Sequence, residues 1–186
     1  MVKLNKIYTR TGDDGTAGLV DGSRTSKASW RMAAIGDVDE ANSSIGAALA
    51  HLSSGPTFEA LRRIQNELFD LGADIATPEQ VDFEALRIEP SQVTRLEEEI
   101  DAMNANLDPL DSFILPGGPP AIAMLYLARA VVRRAERSTV ALAAEEWVNE
   151  DAIAYLNRLS DHLFVTARAL ATGQGGDIKW VPGATR

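Results

Sequence analysis

Apolar residues recur at three- and four-residue steps through most of this chain, a period that predicts helices. The first helical stretch covers about residues 30–52 and stops at Ser53, Ser54, Gly55 and Pro56, a strong breaker. A second begins with Thr57 as N-cap, carries Phe58, Leu61, Ile64, Leu68, Leu71 and Ile75 on one face, and halts at Thr77 and Pro78. After a connector over 79–90, Ser91 opens a third, with Val93, Leu96 and Ile100 inside and Glu97, Glu98, Glu99 and Asp101 mostly outside; Asp108 and Pro109 end it. Phe113, Ile114 and Leu115 form a strand-like approach to a sharp turn at Pro116, Gly117 and Gly118. A fourth helix is expected over about 119–144, because proline suits a first helical turn. Asn149 caps the fifth, with Glu150 and Asp151 complementing its dipole, and Ile153, Leu156, Leu159, Leu163 and Phe164 pack inward. It breaks near Gly173.

Residues 1–30 differ: they are rich in Gly, Thr, Ser and Asp and show almost no helical period. Neither internal repeat nor interdomain linker is visible. The expectation is one domain over 1–186: an N-terminal segment (1–30), a helical bundle (31–172) and an exposed or partner-docked tail (173–186). Five helices with short connections argue for an all-α, up-and-down bundle of ferritin-like character.

Composition narrows the chemistry. A net charge of -9 argues against a nucleic-acid or anionic-membrane surface. With no cysteine there is no disulfide, thiolate metal site or cysteine nucleophile, which fits a reducing cytoplasm. His51 and His162 are the only histidines, too few for a multi-histidine metal site in one chain; neither is assigned a catalytic role. No apolar run reaches the roughly 20 residues of a membrane span, and the basic N-terminus lacks the apolar stretch of a secretory signal. The expected location is the cytoplasm.

Against this acidic background, Arg129, Arg133, Arg134, Glu136 and Arg137 crowd into one otherwise apolar helix. At 3.6 residues per turn, Arg129, Arg133, Glu136 and Arg137 share an arc of about 100°, and Arg134 points further round. Such guanidiniums need carboxylates or phosphates, which match their planar bidentate donors. Glu136 alone cannot neutralise them. The fifth helix carries a narrow stripe of its own, Asn157, Asp161, Phe164 and Arg168, and two facing stripes suggest a lined groove. Asp37, Asp39, Glu40 and Asn42 could pair with the arginines within or across chains, or serve only as dipole-favoured acids. The segment Thr9, Arg10, Thr11, Gly12, Asp13, Asp14, Gly15 could cradle anionic oxygens, with Asp13 or Asp14 near a magnesium ion, or be a plain flexible turn. Local chemistry therefore reaches a helical bundle with a polyanion site.

Five stretches, taken in order, carry a more specific signal: Ile7-Tyr8-Thr9-Arg10-Thr11-Gly12-Asp13-Asp14-Gly15; Asp37-Val38-Asp39-Glu40-Ala41-Asn42; Phe113-Ile114-Leu115-Pro116-Gly117-Gly118; Ala128-Arg129 through Arg133-Arg134-Ala135-Glu136-Arg137; and Tyr155-Leu156-Asn157-Arg158-Leu159-Ser160-Asp161. Together they resemble the ATP:cob(I)alamin adenosyltransferases of the propanediol-utilisation type over nearly the whole chain. The resemblance implies a homotrimer with active sites at subunit interfaces. It implies transfer of the 5′-deoxyadenosyl group of ATP to the cobalt of cob(I)alamin, with release of triphosphate. By the same resemblance Thr9, Arg10, Thr11, Gly12, Asp13 and Gly15 wrap the phosphates of ATP with Lys27. Arg133, Arg137 and Asn157 contact the nucleotide, and Glu136 lies near Mg2+. Asp39 and Arg129 form an intersubunit ion pair, and Phe113 occupies the lower face of cobalt. A reductase and an adenosylcobalamin-dependent acceptor enzyme are implied partners.

Two positions depart from the family pattern. Pro119 and Pro120 stand where Ser or Thr usually follows the Gly-Gly turn, and Tyr126 stands where histidine is common. Two other readings remain compatible with the residues: a non-catalytic ATP- or cobalamin-binding carrier or sensor module, and a structural oligomer whose arginines pair with Asp37, Asp39 and Glu40.

Overall fold

The computed structural model describes residues 7–186. Five helices make up the body: α1 (Trp30–Leu49), α2 (Pro56–Ile75), α3 (Pro90–Asn104), α4 (Pro120–Ala143) and α5 (Glu150–Thr172). The all-helical bundle expected from the periodicity is present. Its packing order is not the chain order. α1 packs on α2 and α4, and α5 packs on α4 and α3. The long connectors 76–89 and 105–119 allow α3 to cross over and rest on α5.

Helix boundaries follow local chemistry that the apolar period does not report. Thr57 is not a cap. Gly55 occupies the N-cap of α2 and Pro56 the first helical turn, where its missing N–H costs nothing. Likewise Glu89, not Ser91, caps α3: its side chain and that of Gln92 close a reciprocal capping box around Pro90. Asn149 caps α5 as expected, accepting from the Asp151 amide at 3.1 Å. The N-terminal segment contains an unforeseen antiparallel hairpin, β1 (Thr16–Gly18) with β2 (Arg24–Ser26).

Leu61, Ile64, Leu68, Leu71, Leu125, Val132, Leu156 and Leu163 fill one apolar core among α1, α2, α4 and α5. Buried polar groups stitch its margins. Glu67 of α2 accepts from the Tyr155 hydroxyl of α5 at 2.6 Å and from Arg95 of α3 at 2.6 Å. Glu99 of α3 accepts from Arg63 at 2.8 Å and from His162 Nε2 at 2.9 Å. Asp74, with a side chain only 1% exposed, holds Arg87 at 2.8 Å, the Ile88 amide at 2.8 Å and Asn149 Nδ2 at 2.8 Å. Arg87 in turn stacks over Trp147 at 4.6 Å. Arg31, at the start of α1, binds Glu146 at 2.8 Å and the Ile75 carbonyl. The start of α1, the end of α2 and the α4–α5 turn are thereby tied at one end of the bundle.

The tail is docked on the chain's own apolar turn. Its Leu115–Ile178 and Trp180–Phe113 backbone hydrogen bonds are 2.8 Å each, around a bridge of Ile114 with Lys179. Arg168 holds Asp177 at 2.9 Å, and Lys179 holds Asp111 at 2.6 Å.

Removing one partner of a buried ion pair strands the other, at a typical cost of about 3–5 kcal/mol. Asp74→Ala is therefore expected to lower unfolding free energy by about 3 kcal/mol in urea titrations; an unchanged midpoint would exclude this role for Asp74. Burial raises the pKa of Glu99, but hydrogen bonds from His162 and Arg63 outweigh it and bring it from 4.5 down to about 2. A carboxylate with a depressed folded pKa contributes stability above its unfolded pKa and loses it as pH falls through the folded one. Thermal melts should show that loss between pH 4.5 and about 2, and Glu99→Gln should flatten the acid limb in that window.

Candidate active site

Helix α4 is amphipathic in an unusual sense: one side is core and the other is cationic. Ala128, Val131, Val132 and Ala135 are buried. Arg134 turns toward α1, 3.2 Å from Asp37 and paired with Glu40, and the Ser138 hydroxyl donates to the same Asp37. Of the α4 arginines, Arg134 alone takes up the acidic cluster of α1 among the described residues. Asp39 is exposed and forms no ion pair with Arg129 within the chain among the described residues.

Arg133 and Arg137 lie exposed and form no ion pair with a carboxylate among the described residues. The Arg137 guanidinium donates to the Arg133 carbonyl at 2.9 Å. Beside them Glu136 Oε1 accepts from Asn157 Nδ2 of α5 at 2.8 Å. Arg158, paired with Glu97 at 2.7 Å, donates to Asn157 Oδ1 at 2.5 Å. The Asn157 amide is thus fixed from both sides, with its orientation set by a carboxylate and a guanidinium. Glu136 Oε2 makes no hydrogen bond among the described residues.

Further along α4, Arg129 lies over the Phe164 ring at 5.4 Å, and its buried Nε has no hydrogen-bond partner among the described residues. This pair enters a cavity of about 720 Å³ whose lining includes Phe113, Tyr126, Asp161 and Trp180. Phe113 is 78% exposed and meets Trp180 with ring centroids 6.0 Å apart. Gly118 follows at φ +121°, a conformation that side chains rarely adopt, so the turn behind Phe113 depends on glycine. Tyr126 packs edge-on against Phe164 at 6.3 Å. Burial, then the nearby Asp177 carboxylate, pushes its phenol pKa up, which keeps it neutral.

Of the two predicted helical stripes, Arg129, Asp161 and Phe164 line this cavity, whereas Arg133, Glu136, Arg137, Asn157 and Arg168 do not. Arg168 is buried, and its donors go to Asp177 and to the Asp108 carbonyl at 2.8 Å. Trp180 lies in a segment without periodic signal and reaches the groove only because the tail folds back.

The N-terminal loop is a separate structured unit at the hairpin. Thr9 and Thr11 hydroxyls lie 2.9 Å apart, Arg10 is left-handed at φ 62°, and the Gly15 amide donates to the Gly12 carbonyl at 3.2 Å. Lys27 Nζ donates to that carbonyl at 2.7 Å. A Cβ on Gly12 would sit 2.9 Å from this amine and 3.1 Å from the Thr16 carbonyl oxygen, so a side chain there would displace the Lys27 terminus. Asp14 accepts from the Thr16 hydroxyl at 2.7 Å and amide at 2.9 Å; these bonds, with Arg24, hold its pKa below the ordinary carboxylate range. Asp14 is thus occupied inside the turn, whereas Asp13 has no side-chain bond among the described residues. No hydrogen bond or ion pair among the described residues joins residues 9–15 to Arg129, Arg133 or Arg137.

Comparison with known proteins gives a consistent answer. The profile of the cobalamin adenosyltransferase family matches residues 7–170. The corrinoid adenosyltransferase of Mycobacterium tuberculosis (strain ATCC 25618 / H37Rv) is 52% identical over 191 residues, spanning 100% of this chain and 97% of the relative. That of Bacillus subtilis (strain 168) is 46% identical, over 94% of this chain and 92% of the relative. Among solved structures, a phenylalanine-to-alanine variant of a PduO-type ATP:corrinoid adenosyltransferase from Lactobacillus reuteri, complexed with cobalamin and ATP, superposes with a TM-score of 0.87 at 36% identity, covering 94% of this chain and 99% of that one. An arginine-to-lysine variant of that enzyme, complexed with ATP, gives 0.86 at 36% identity, covering 95% and 100%. With a matching profile over most of its length and relatives near half identical end to end, this chain belongs to the cobalamin adenosyltransferase family.

Proposed function

We propose that the protein transfers the 5′-deoxyadenosyl group of ATP to the cobalt of cob(I)alamin, yielding adenosylcobalamin and triphosphate. The observation that carries this reading is the un-neutralised Arg133–Arg137 pair beside a fixed Glu136–Asn157 unit, on the same helix whose Arg129 enters the aromatic groove at Phe113. One helix thereby serves a polyanion and a large apolar ring system.

Cob(I)alamin is itself a strong nucleophile, so no side chain is needed as a base. Its cobalt attacks the ribose 5′-carbon. The new cobalt–carbon bond takes both electrons from cobalt, and the breaking carbon–oxygen bond leaves its pair on the triphosphate. The protein's tasks are alignment and stabilisation of the departing charge. Arg133 and Arg137 suit the second task, and Asn157 with the loop Thr9, Arg10, Thr11, Gly12, Asp13, Gly15 and Lys27 suits the first. The donor set also fits Mg2+, which takes one or two carboxylates and completes its shell with phosphates and water. Glu136 Oε2 is the oxygen that would hold it, and the ion would add charge neutralisation at the phosphates.

At the other substrate, Phe113 acts as an apolar wedge under cobalt. Four-coordinate cob(II)alamin is more easily reduced than the five-coordinate form, and an exposed phenylalanine on a rigid turn can displace the lower ligand. Separation of loop and arginines within one chain supports a homotrimer whose sites are completed between subunits, with Asp39 reaching Arg129 of a neighbour. Leu127 and Val140 of α4, exposed at 54% and 50%, are apolar surface such an assembly would cover. Among the described residues no helix is long and apolar enough to cross a membrane, and the proposed setting is the cytoplasm. There a reductase would supply cob(I)alamin, and an adenosylcobalamin-dependent enzyme would take the product.

Purified protein mixed with ATP, Mg2+ and chemically reduced cobalamin should form adenosylcobalamin. Binding of both substrates without product would instead identify a carrier. Arg133→Ala should lower kcat by about 10²-fold or more while sedimentation shows an unchanged oligomer; full activity would remove Arg133 from the phosphate role. Phe113→Ala should abolish the absorption and paramagnetic signature of four-coordinate cob(II)alamin in the ATP complex, and an unaltered spectrum would reject the wedge.

A further inference from the structure

Two cations on the hairpin grip consecutive carbonyls of the N-terminal loop. Arg24 Nη2 donates to the Thr11 carbonyl at 2.6 Å, and Lys27 Nζ to the Gly12 carbonyl at 2.7 Å. Arg24 also donates through Nε to the Thr16 hydroxyl at 2.8 Å and lies 3.6 Å from Asp14. Asp14 fixes Thr16 in turn through its amide and hydroxyl. Two nitrogens of the Arg24 fork, Nε and Nη2, are thus spent on the loop's own atoms.

The consequence follows from peptide geometry. In a planar trans peptide the carbonyl and the following N–H point in opposite directions. Drawing the Thr11 and Gly12 carbonyls toward the hairpin turns the Gly12 and Asp13 amides away from it. The Gly12 amide makes no hydrogen bond among the described residues, and the Asp13 amide makes only a long 3.4 Å contact to the Arg10 carbonyl. Successive N–H groups facing one way form a concavity suited to anionic oxygens. Without the guanidinium, the Thr11 carbonyl would have no hydrogen-bond donor among the described residues, and the Gly12 carbonyl would be held only by Lys27 and the Gly15 amide.

We propose that Arg24 is a positioning residue for the polyphosphate: it acts through the Thr11 carbonyl and the Asp14–Thr16 turn to aim the loop amides, without touching the phosphates itself. The proposal rests on the assignment of this loop to ATP. It separates two cations that sequence alone would group together. Lys27 has a single carbonyl to release and can swing to a phosphate, whereas Arg24 is held at several atoms and stays.

The test measures ATP and inorganic triphosphate affinity by calorimetry on the full-length protein, with steady-state kinetics alongside. Arg24→Ala is expected to weaken both ligands in parallel by about 10-fold, the loss of one charge-assisted bond. At saturating ATP, kcat should stay within about threefold of wild type, and cobalamin KM and melting temperature should not move. Arg24→Lys, which keeps one donor for Thr11, should recover part of the affinity. Unchanged ATP and triphosphate affinity in Arg24→Ala, while Lys27→Ala weakens both, overturns the proposal and leaves the loop assignment intact. A kcat collapse at saturating ATP also overturns it, because it would place Arg24 on the reacting groups. If Lys27→Ala and Arg24→Ala are both silent, the loop assignment to ATP falls first.

Discussion

The rotational setting of α4 governs everything the molecule can do. Arg134 bonded to Asp37 and Glu40 of α1, with Ser138 on the same Asp37, leaves one azimuth for the helix. At that azimuth Ala128, Val132 and Ala135 seal the core, and Arg133 and Arg137 stand outside it. The pairing is exposed enough to contribute little net stability by itself. Its value is directional: like charges on neighbouring helical positions are sorted by which of them finds a carboxylate at home. Those left over form the anion-seeking face.

The same logic sets what could be read from sequence. The separate direction of Arg134 was legible because it depends on angle, and angle follows from residue spacing on a helix. Asn149 as a cap was legible for a similar reason: its reach is local. Thr57 and Ser91 misled because proline one residue upstream, or one residue before the expected cap, decides the start of a helix more firmly than a hydroxyl does. Arg168 misled because its spacing matches the α5 stripe, while its partner Asp177 lies beyond the end of the helix in a segment without period. Trp180 and the Arg24 clamp were invisible altogether. Both depend on chain reversal through glycine-containing segments, where no periodic pattern announces which residues will meet.

Two irregular segments therefore complete what five regular ones begin. The hairpin sits on the end of α2 through the Val20–Ala76 hydrogen bond at 3.2 Å and passes directly into α1 through the Ser29 cap. The tail pairs with residues 113–115 and closes one wall of the aromatic groove. Bundle helices supply fixed directions, and the hairpin and the tail supply the irregular backbone beside the proposed ATP loop and the aromatic groove.

The Phe113–Trp180 contact has an optical consequence. The chain holds three tryptophans, and they sit in distinct surroundings: Trp30 at the start of α1, Trp147 beneath Arg87, and Trp180 against Phe113 in the groove. A corrin ring entering that groove would lie beside Trp180 as a strongly absorbing acceptor, and its indole emission would be quenched by proximity. Trp147, stacked under Arg87 and not among the residues lining the groove, is an internal reference. The tail therefore carries a native fluorophore that reports groove occupancy, in a molecule free of cysteine and open to a single thiol-linked acceptor dye at any other chosen place.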